Sequence, residues 1–221
     1  MEPELIPADT PTEPVTGEAS FGLSQRDDCG YTLFSTEPFV ELFATWTIPN
    51  LNHRPTSMEP NHFHTFLGLG FLDVHVEMTV DPAQNVTAQI QIHNGTQVAL
   101  PVSPGDAITA TLCLQTNSAG TAAYFLANET TSQTMNFQMD TGFPPAVTID
   151  AGISRSQLNA PFNPLARFGV VYFDEIIAFT TNGTRSLTSG TPITMVDSDG
   201  STLARPVRLT ENAFKTVYEG D

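Results

Sequence analysis

The chain has 221 residues, with 24 Asp and Glu against 8 Lys and Arg, which gives a formal net charge of −16. No apolar run is long enough to span a bilayer, and a surface this acidic repels phosphate backbones and anionic lipids. These properties argue against a membrane-spanning or nucleic-acid-binding protein and leave room for one large β domain or two small ones.

The N-terminal part reads differently from the rest. Its first residues are rich in Pro and Glu and have no apolar core of the kind that a signal peptide needs. We therefore expect residues 1–30 to be a disordered or extended leader and residues 31–221 to be a single domain, because no linker or repeat divides them.

After the leader, short β-rich runs alternate with Gly, Pro, Asn and Asp clusters, while helical periodicity is nearly absent. This pattern predicts an all-β sandwich or barrel. The predicted strands are 40–48, 63–68, 71–80, 86–93, 107–115, 122–127, 133–139, 146–149, 169–180, 192–196 and 213–218.

Two of these runs, 71–80 and 86–93, alternate apolar and polar residues with a period of two, so each has one apolar and one polar face. If the two runs form a hairpin, their polar faces coincide. That shared face then carries Asp73, His75, Glu77, Gln89, Gln91 and His93. It is either an ordinary solvated sheet face or a ligand-binding surface.

The two cysteines, Cys29 and Cys113, accompany four Asn-x-Thr sequons. Together they favour a secreted protein with one disulfide, the alternative being two buried thiols. The candidate glycosylation sites are Asn85, Asn94, Asn128 and Asn182, all in turn-like or polar stretches.

Several segments, in order, resemble the glutamic peptidases (eqolisins). The run Phe-Ala-Thr-Trp-Thr-Ile-Pro at 43–49 is similar to an early strand of the family, and Phe-Leu-Gly-Leu-Gly at 66–70 stands where the family has Trp-Val-Gly-Ile-Asp. Segment 126–134 is similar to the family's Asn-Leu-Thr-Thr-Gly-Gln hairpin, and segments 102–108, 168–173 and 193–197 are similar to a turn and two late strands. The resemblance implies a jelly-roll-like β-sandwich of two packed antiparallel sheets, one concave around a cleft.

The same resemblance concerns the catalytic pair, a Gln and a Glu on the concave sheet. It places Asp73 at the position of the Gln and Ala146 at that of the Glu, while Gln91 replaces a substrate-contacting Glu. A shift of one residue that brought Asp150 toward the Glu position would turn its side chain into the core. The resemblance therefore implies that the fold is kept without the family's proteolytic mechanism.

We hypothesise that the cleft handles a small organic molecule, in a cyclisation, cycloaddition or dehydration–cyclisation like those of fungal secondary metabolism. The candidate catalytic residues are Asp73, His75 and His93, and the candidate ligand-binding residues are Phe66, Phe71, Glu77, Gln89, Gln91, Thr148 and Asp150. The alternatives are a pseudo-peptidase that binds peptide or glycan, and an acid endopeptidase with an altered Asp-based site. No cofactor is expected, and the protein is expected to be a monomer or homodimer.

Metal binding is suggested by His62-x-His64 together with His75 and His93. However, the Glu that cupins place a few residues after the second His is absent, because Glu77 follows His64 by 13 residues. We expect His53, His62 and His64 to lie on the rim of the cleft, around the loop 50–61, and we predict no metal site.

Overall fold

A computed structural model describes residues 23–25, 27–115, 120–155 and 162–220. In these residues the secondary structure consists of strands and one 3₁₀ turn, Leu187–Ser189. The first strands are β1 (Leu23–Gln25), β2 (Asp28–Thr47), β3 (Leu51–Asn52), β4 (Asn61–Leu69), β5 (Leu72–Val80), β6 (Val86–Ile92), β7 (Thr96–Val98), β8 (Ala107–Gln115) and β9 (Thr121–Asn128). They are followed by β10 (Gln133–Asp140), β11 (Ala146–Ser154), β12 (Arg167–Phe168), β13 (Val170–Thr180), β14 (Gly183–Arg185), β15 (Thr191–Val196), β16 (Thr202–Arg208) and β17 (Phe214–Tyr218).

The strands form a β-sandwich, as predicted, and the long strand β2 runs through both of its sheets. Residues 28–39 of β2 pair with β11, while residues 41–47 pair with β8. The first sheet has the order β7-β6-β5-β4-β11-β2-β15, and the second has the order β10-β9-β8-β2-β13-β17-β16. These neighbours are antiparallel, whereas β1 adds to β15 in parallel.

The boundary of the domain differs from the prediction. Residues 23–25 and 28–30 form strands, although the sequence analysis assigned them to the leader. The reason is that Cys29 is fully buried and pairs with Ile153 of β11, so this part of the chain belongs to the first sheet. Residues 1–22 of the expected leader lie outside the described residues.

The core lies between the sheets and follows from the period-two pattern. On β5 the residues Leu72, Val74, Val76, Met78 and Val80 are all fully buried, while the residues between them are only partly buried. Each such side chain stabilises the fold by about 1.5–3 kcal/mol on burial.

The sequence contains one tryptophan, Trp46, and it joins the two sheets. Trp46 lies on the part of β2 that belongs to the second sheet, and its Nε1 donates a 2.8 Å hydrogen bond to Oγ1 of Thr65 on β4. Both side chains are buried, so this bond satisfies two polar groups that would otherwise lose water without compensation.

The predicted disulfide is wrong: Cys29 and Cys113 are both free thiols. Cys29 lies on the first-sheet part of β2, whereas Cys113 pairs with Glu41 on its second-sheet part. Residues 29 and 41 are twelve positions apart on one strand, which corresponds to roughly 30–40 Å. A disulfide needs Cα atoms within about 7 Å.

The four sequons differ in accessibility. Asn85, Asn94 and Asn182 are exposed. Asn128 is fully buried, and its Nδ2 donates hydrogen bonds to the Pro101 carbonyl (3.0 Å) and to Oδ2 of Asp106 (2.7 Å). Asn128 ends β9 inside the sandwich, so in the folded protein it is closed to a glycan.

Candidate active site

The candidate site lies on the outer face of the first sheet, where β11, β4, β5 and β6 are neighbours. In β5 and β6 the inward positions are apolar and the outward positions are largely polar, so the alternation predicted for these strands is present. Strand β4 also alternates buried and partly buried positions, although its buried positions include the polar residues Asn61 and Thr65. We call the outward side chains the polar face. Its members are Asp150, His64, Phe66, Asp73, His75, Glu77, Gln89, Gln91 and His93, the last following the end of β6.

The polar face contains two aspartates separated by one glycine. Asp150 on β11 pairs with Gly68 on β4, and Gly68 pairs with Asp73 on β5. The glycine is required for this arrangement, since a Cβ added at Gly68 would lie 2.5 Å from Oδ1 of Asp150. The missing side chain thus lets the carboxyl group of Asp150 lie over the backbone of Gly68.

Two residues of β11 bear on the sequence-based expectations. Ala146, which the resemblance put at the position of the peptidase Glu, is buried with its Cβ beside Gly70. Asp150, which was predicted to bind a ligand, lies on the polar face. The pairing of β11 with β2 has an irregularity between Ala146 and Thr148, where two steps along β11 correspond to five along β2.

The environment of Asp150 favours its protonated form. Burial, and next the negative charge of Asp73, raise the pKa of Asp150 to about 6. A carboxyl group with such a pKa carries a proton in weakly acidic solution and can donate it.

A chain of hydrogen bonds continues from Asp73 across the sheet. Nδ1 of His75 donates to Oδ2 of Asp73 at 2.9 Å, and Nε2 of His75 lies 3.2 Å from Oε1 of Gln91. Nε2 of Gln91 donates to Oε2 of Glu77, as does Nε2 of Gln89 at 2.6 Å. Burial alone would lower the pKa of His75, but the hydrogen bond and charge of Asp73, followed by Gln91 and Glu77, raise it above its ordinary value.

His62 and His64 are on β4 and not on the rim that the sequence analysis expected. The ring of His64 stacks on that of His75, with centroids 5.3 Å apart, and its Nε2 is 3.7 Å from Oε1 of Glu77. Burial, and next the charge of His75, lower the pKa of His64 to about 4. Period-two alternation in residues 61–69 was the signal that could have placed His64 on the polar face.

The remaining predicted residues border this network. Nδ1 of His93 is 3.8 Å from Oδ1 of Asp73, and its ring packs edge-on against Phe143 with centroids 4.7 Å apart. Phe143 also contacts Phe71, which is 62% exposed, so the two phenyl rings form an aromatic edge beside the aspartates. Phe66 pairs with His75 in the middle of the face.

Thr148 lies two positions before Asp150 on β11 and is partly buried. Its carbonyl accepts a hydrogen bond of 2.9 Å from the amide of Gly70 and so fixes the turn that carries Phe71. Thr148 therefore contributes to the shape of the aromatic edge through its backbone.

A further acidic group at the other end of the face was not predicted. Asp28 on β2 pairs with Ser154, which in turn pairs with His64. Burial, and next Asp27, raise the pKa of Asp28 to about 7, although a hydrogen bond from Ser154 opposes this. Asp28 was overlooked because it falls inside the segment assigned to the leader.

No group of three or more His, Cys, Asp or Glu in residues 23–25, 27–115, 120–155 and 162–220 is arranged to hold a metal ion. Over the same residues there is no helix long and apolar enough to cross a membrane.

Comparison with known proteins identifies the family. The model of the peptidase A4 family matches residues 27–217. The chain belongs to this family. The resemblance to the glutamic peptidases is thereby confirmed, over nearly the whole of the described structure. No curated protein sequence matches the chain.

Solved structures of the family show the same fold at low sequence identity. Scytalido-glutamic peptidase with a transition-state analog inhibitor superimposes with a TM-score of 0.67 and 13% identity, over 88% of this chain and 99% of that one. SCP-B, an eqolisin in a complex with the tripeptide Ala-Ile-His, superimposes with a TM-score of 0.65 and 14% sequence identity, over 88% of this chain and 99% of that one. Aspergilloglutamic peptidase from Aspergillus niger superimposes with a TM-score of 0.59 and 16% sequence identity, over 72% of this chain and 99% of that one.

Proposed function

We propose that this member of the peptidase A4 family is an acid–base enzyme for a small organic molecule and that it does not cleave peptides by the mechanism of its relatives. The observation that carries the proposal is the pair on the polar face: Asp150, a carboxyl with its pKa raised to about 6, next to Asp73, a carboxylate bonded to His75. Such a pair supplies one proton donor and one proton acceptor to the same ligand.

The polar face offers little to the reaction of a glutamic peptidase, which by resemblance needs a carboxylate to activate water and an amide to stabilise the oxyanion. The side-chain amides of Gln89 and Gln91 both donate to Oε2 of Glu77. Because both amides are engaged within the protein, they are not placed to stabilise an oxyanion, which argues against peptide hydrolysis by the family's mechanism.

The same groups suit a dehydration, the step that prepares many cyclisations. The ligand hydroxyl takes the proton of Asp150 and leaves as water when its C–O bond breaks. The carboxylate of Asp73 takes the proton of the adjacent carbon, whose C–H electrons form the new double bond. Exchange with solvent then returns a proton to Asp150 and removes one from Asp73, so that only water is lost.

The aromatic edge supports a ligand with an apolar, planar part. Phe71 is largely exposed and packs on Phe143, and the edge adjoins His93 and thus Asp73. Exposed phenyl rings beside a polar cluster are a typical lining of small-molecule sites. Such contacts hold the ligand in one orientation, and cyclisation rates increase strongly when the reacting groups are held in a productive orientation.

A second candidate is an acid endopeptidase that uses the two aspartates. The observation in its favour is that Asp73 and Asp150 lie on the same face across Gly68 and that one of them has a raised pKa. Two carboxylates that share a proton are the working groups of aspartic peptidases.

One experiment separates the two candidates. Wild-type protein, Asp150→Asn and Asp73→Asn are incubated with extracts of small molecules and, separately, with a denatured protein at pH 3 to 6, and products are followed by mass spectrometry. Asp140→Asn, on the exposed edge strand β10, is the matched control. Conversion of a small molecule that both site variants lose supports the first candidate. Peptide products that both variants lose would establish the second and refute the first.

A further inference from the structure

The orientation of the Gln91 side chain is determined by Glu77. A carboxylate only accepts hydrogen bonds, so the group of Gln91 that faces Oε2 of Glu77 must be its NH₂. The carbonyl oxygen of the same amide therefore points toward Nε2 of His75, 3.2 Å away. The NH₂ of Gln89 donates to the same oxygen of Glu77, while its carbonyl oxygen accepts from Nε2 of Gln97 at 2.8 Å.

Both ring nitrogens of His75 consequently face acceptors. Nδ1 meets the carboxylate of Asp73 and Nε2 meets the carbonyl of Gln91. A neutral imidazole carries only one N–H and would leave one of these contacts between two acceptors. The imidazolium, with two N–H groups, satisfies both.

The charged groups around His75 agree with this state. On its own strand the neighbours are Asp73 and Glu77, both acidic, and Asp150 lies on β11 beyond Gly68. On β4 the stacked ring of His64 is held neutral, since burial and then the charge of His75 lower its pKa to about 4. After β6, His93 is directed toward Oδ1 of Asp73.

We propose that Glu77 and Gln91 are positioning residues that hold His75 as an imidazolium, which keeps Asp73 as the carboxylate and leaves Asp150 as the proton donor of the pair. The chain runs from Glu77 through Gln91, His75 and Asp73. The role of Asp150 as proton donor to a ligand rests on the proposed function. The orientation of Gln91 by Glu77 and the charged state of His75 are properties of the protein alone.

Nitrogen-15 NMR of the histidine side chains in the full chain tests the proposal without a ligand. In the wild type we expect both ring nitrogens of His75 to be protonated and its pKa to lie above the ordinary value of about 6.5. In Gln91→Leu the acceptor is lost while Glu77 keeps its charge, and we expect the pKa of His75 to fall by about 1. Gln89→Leu is the control, because it removes a donor to the same Glu77 oxygen and should leave His75 unchanged.

The outcomes are distinct. A wild-type His75 with one unprotonated nitrogen and a pKa at or below 6.5 would overturn the proposal, even if no variant folds. An equal pKa of His75 in Gln91→Leu and Gln89→Leu would remove Gln91 as a positioning residue. Glu77→Gln, in which the amide of Gln91 is free to turn over, gives a second variant in which a lowered His75 pKa is expected. Failure to find any small-molecule substrate would count against the proposed function and leave these NMR results unaffected.

Discussion

Asp150 and Asp73 lie on the same face of the first sheet, each paired with Gly68 from opposite sides. Their strands are neighbours only through β4, and more than seventy residues of sequence separate them. The pair exists because β11 adds to β4 on one side while β5 adds to it on the other, and because the residue between them has no side chain.

A methyl group at residue 68 tests this relationship. In Gly68→Ala the new Cβ would lie 2.5 Å from Oδ1 of Asp150, so the carboxyl group must rotate away. We expect loss of the activity tested above and a decrease in the free energy of unfolding of about 1–3 kcal/mol, measured by urea denaturation. Gly169→Ala is the control, since its Cβ would meet nothing within 4 Å. Equal activity in the two variants would show that the position of the Asp150 carboxyl group over Gly68 is not needed.

The raised pKa of Asp150 predicts a dependence of stability on pH. Between about pH 4 and pH 6 the unfolded chain ionises this residue while the folded protein keeps it protonated, so ionisation disfavours folding as the pH rises. The wild type should therefore lose stability relative to Asp150→Asn from pH 4 to pH 7, by an amount on the order of 2 kcal/mol. Urea denaturation of both proteins at pH 4 and at pH 7 measures this difference in the free energy of unfolding.

Asp140→Asn serves as the reference in the same experiment, because Asp140 is exposed on β10. A difference between Asp150→Asn and the wild type that changes with pH no more than that of Asp140→Asn would mean that Asp150 ionises in the folded protein as it does in the unfolded chain.

Asn128 is expected to be a structural residue. In Asn128→Ala the Pro101 carbonyl and Oδ2 of Asp106 lose a donor, and the amide of Thr131 loses its acceptor, Oδ1 of Asn128. Because the side chains of Asn128 and Asp106 are buried, we expect a loss of about 2–3 kcal/mol in the free energy of unfolding. Asn85→Ala, at an exposed sequon, should cost less than about 1 kcal/mol. Mass spectrometry of protein from a glycosylating host should find residue 128 unmodified, and a glycan there would contradict the buried position.

The distance between the cysteines predicts two free thiols. Titration with Ellman's reagent in denaturant, without reductant, should give two thiols per chain. In the native protein Cys29 should be protected, since it is fully buried and burial raises its pKa above the ordinary range of thiols. If no thiol reacts in denaturant, the two cysteines are in disulfides, and a disulfide between Cys29 and Cys113 of one chain would contradict this fold.

The sequence by itself determined many of the strands and, in two of them, the side on which the residues point, although it missed β16 and the first half of β2. In 71–80 and 86–93 the period of two was sufficient to bring Asp73, His75 and Gln91 to one face, because the direction of a side chain in a strand is a local property. The ordered series of motifs also led to the family, which the match over residues 27–217 confirms.

Only the tertiary structure decided which strands are neighbours. The sequence could not show that β4 lies between β5 and β11, that Asp150 therefore faces Asp73, or that Asn128 is inside the protein. It also gave no sign that β2 passes through both sheets and carries Cys29 away from the strand that holds Cys113. Strand order and register depend on contacts between residues far apart in the chain, and such contacts leave no periodicity in the sequence around any one of them.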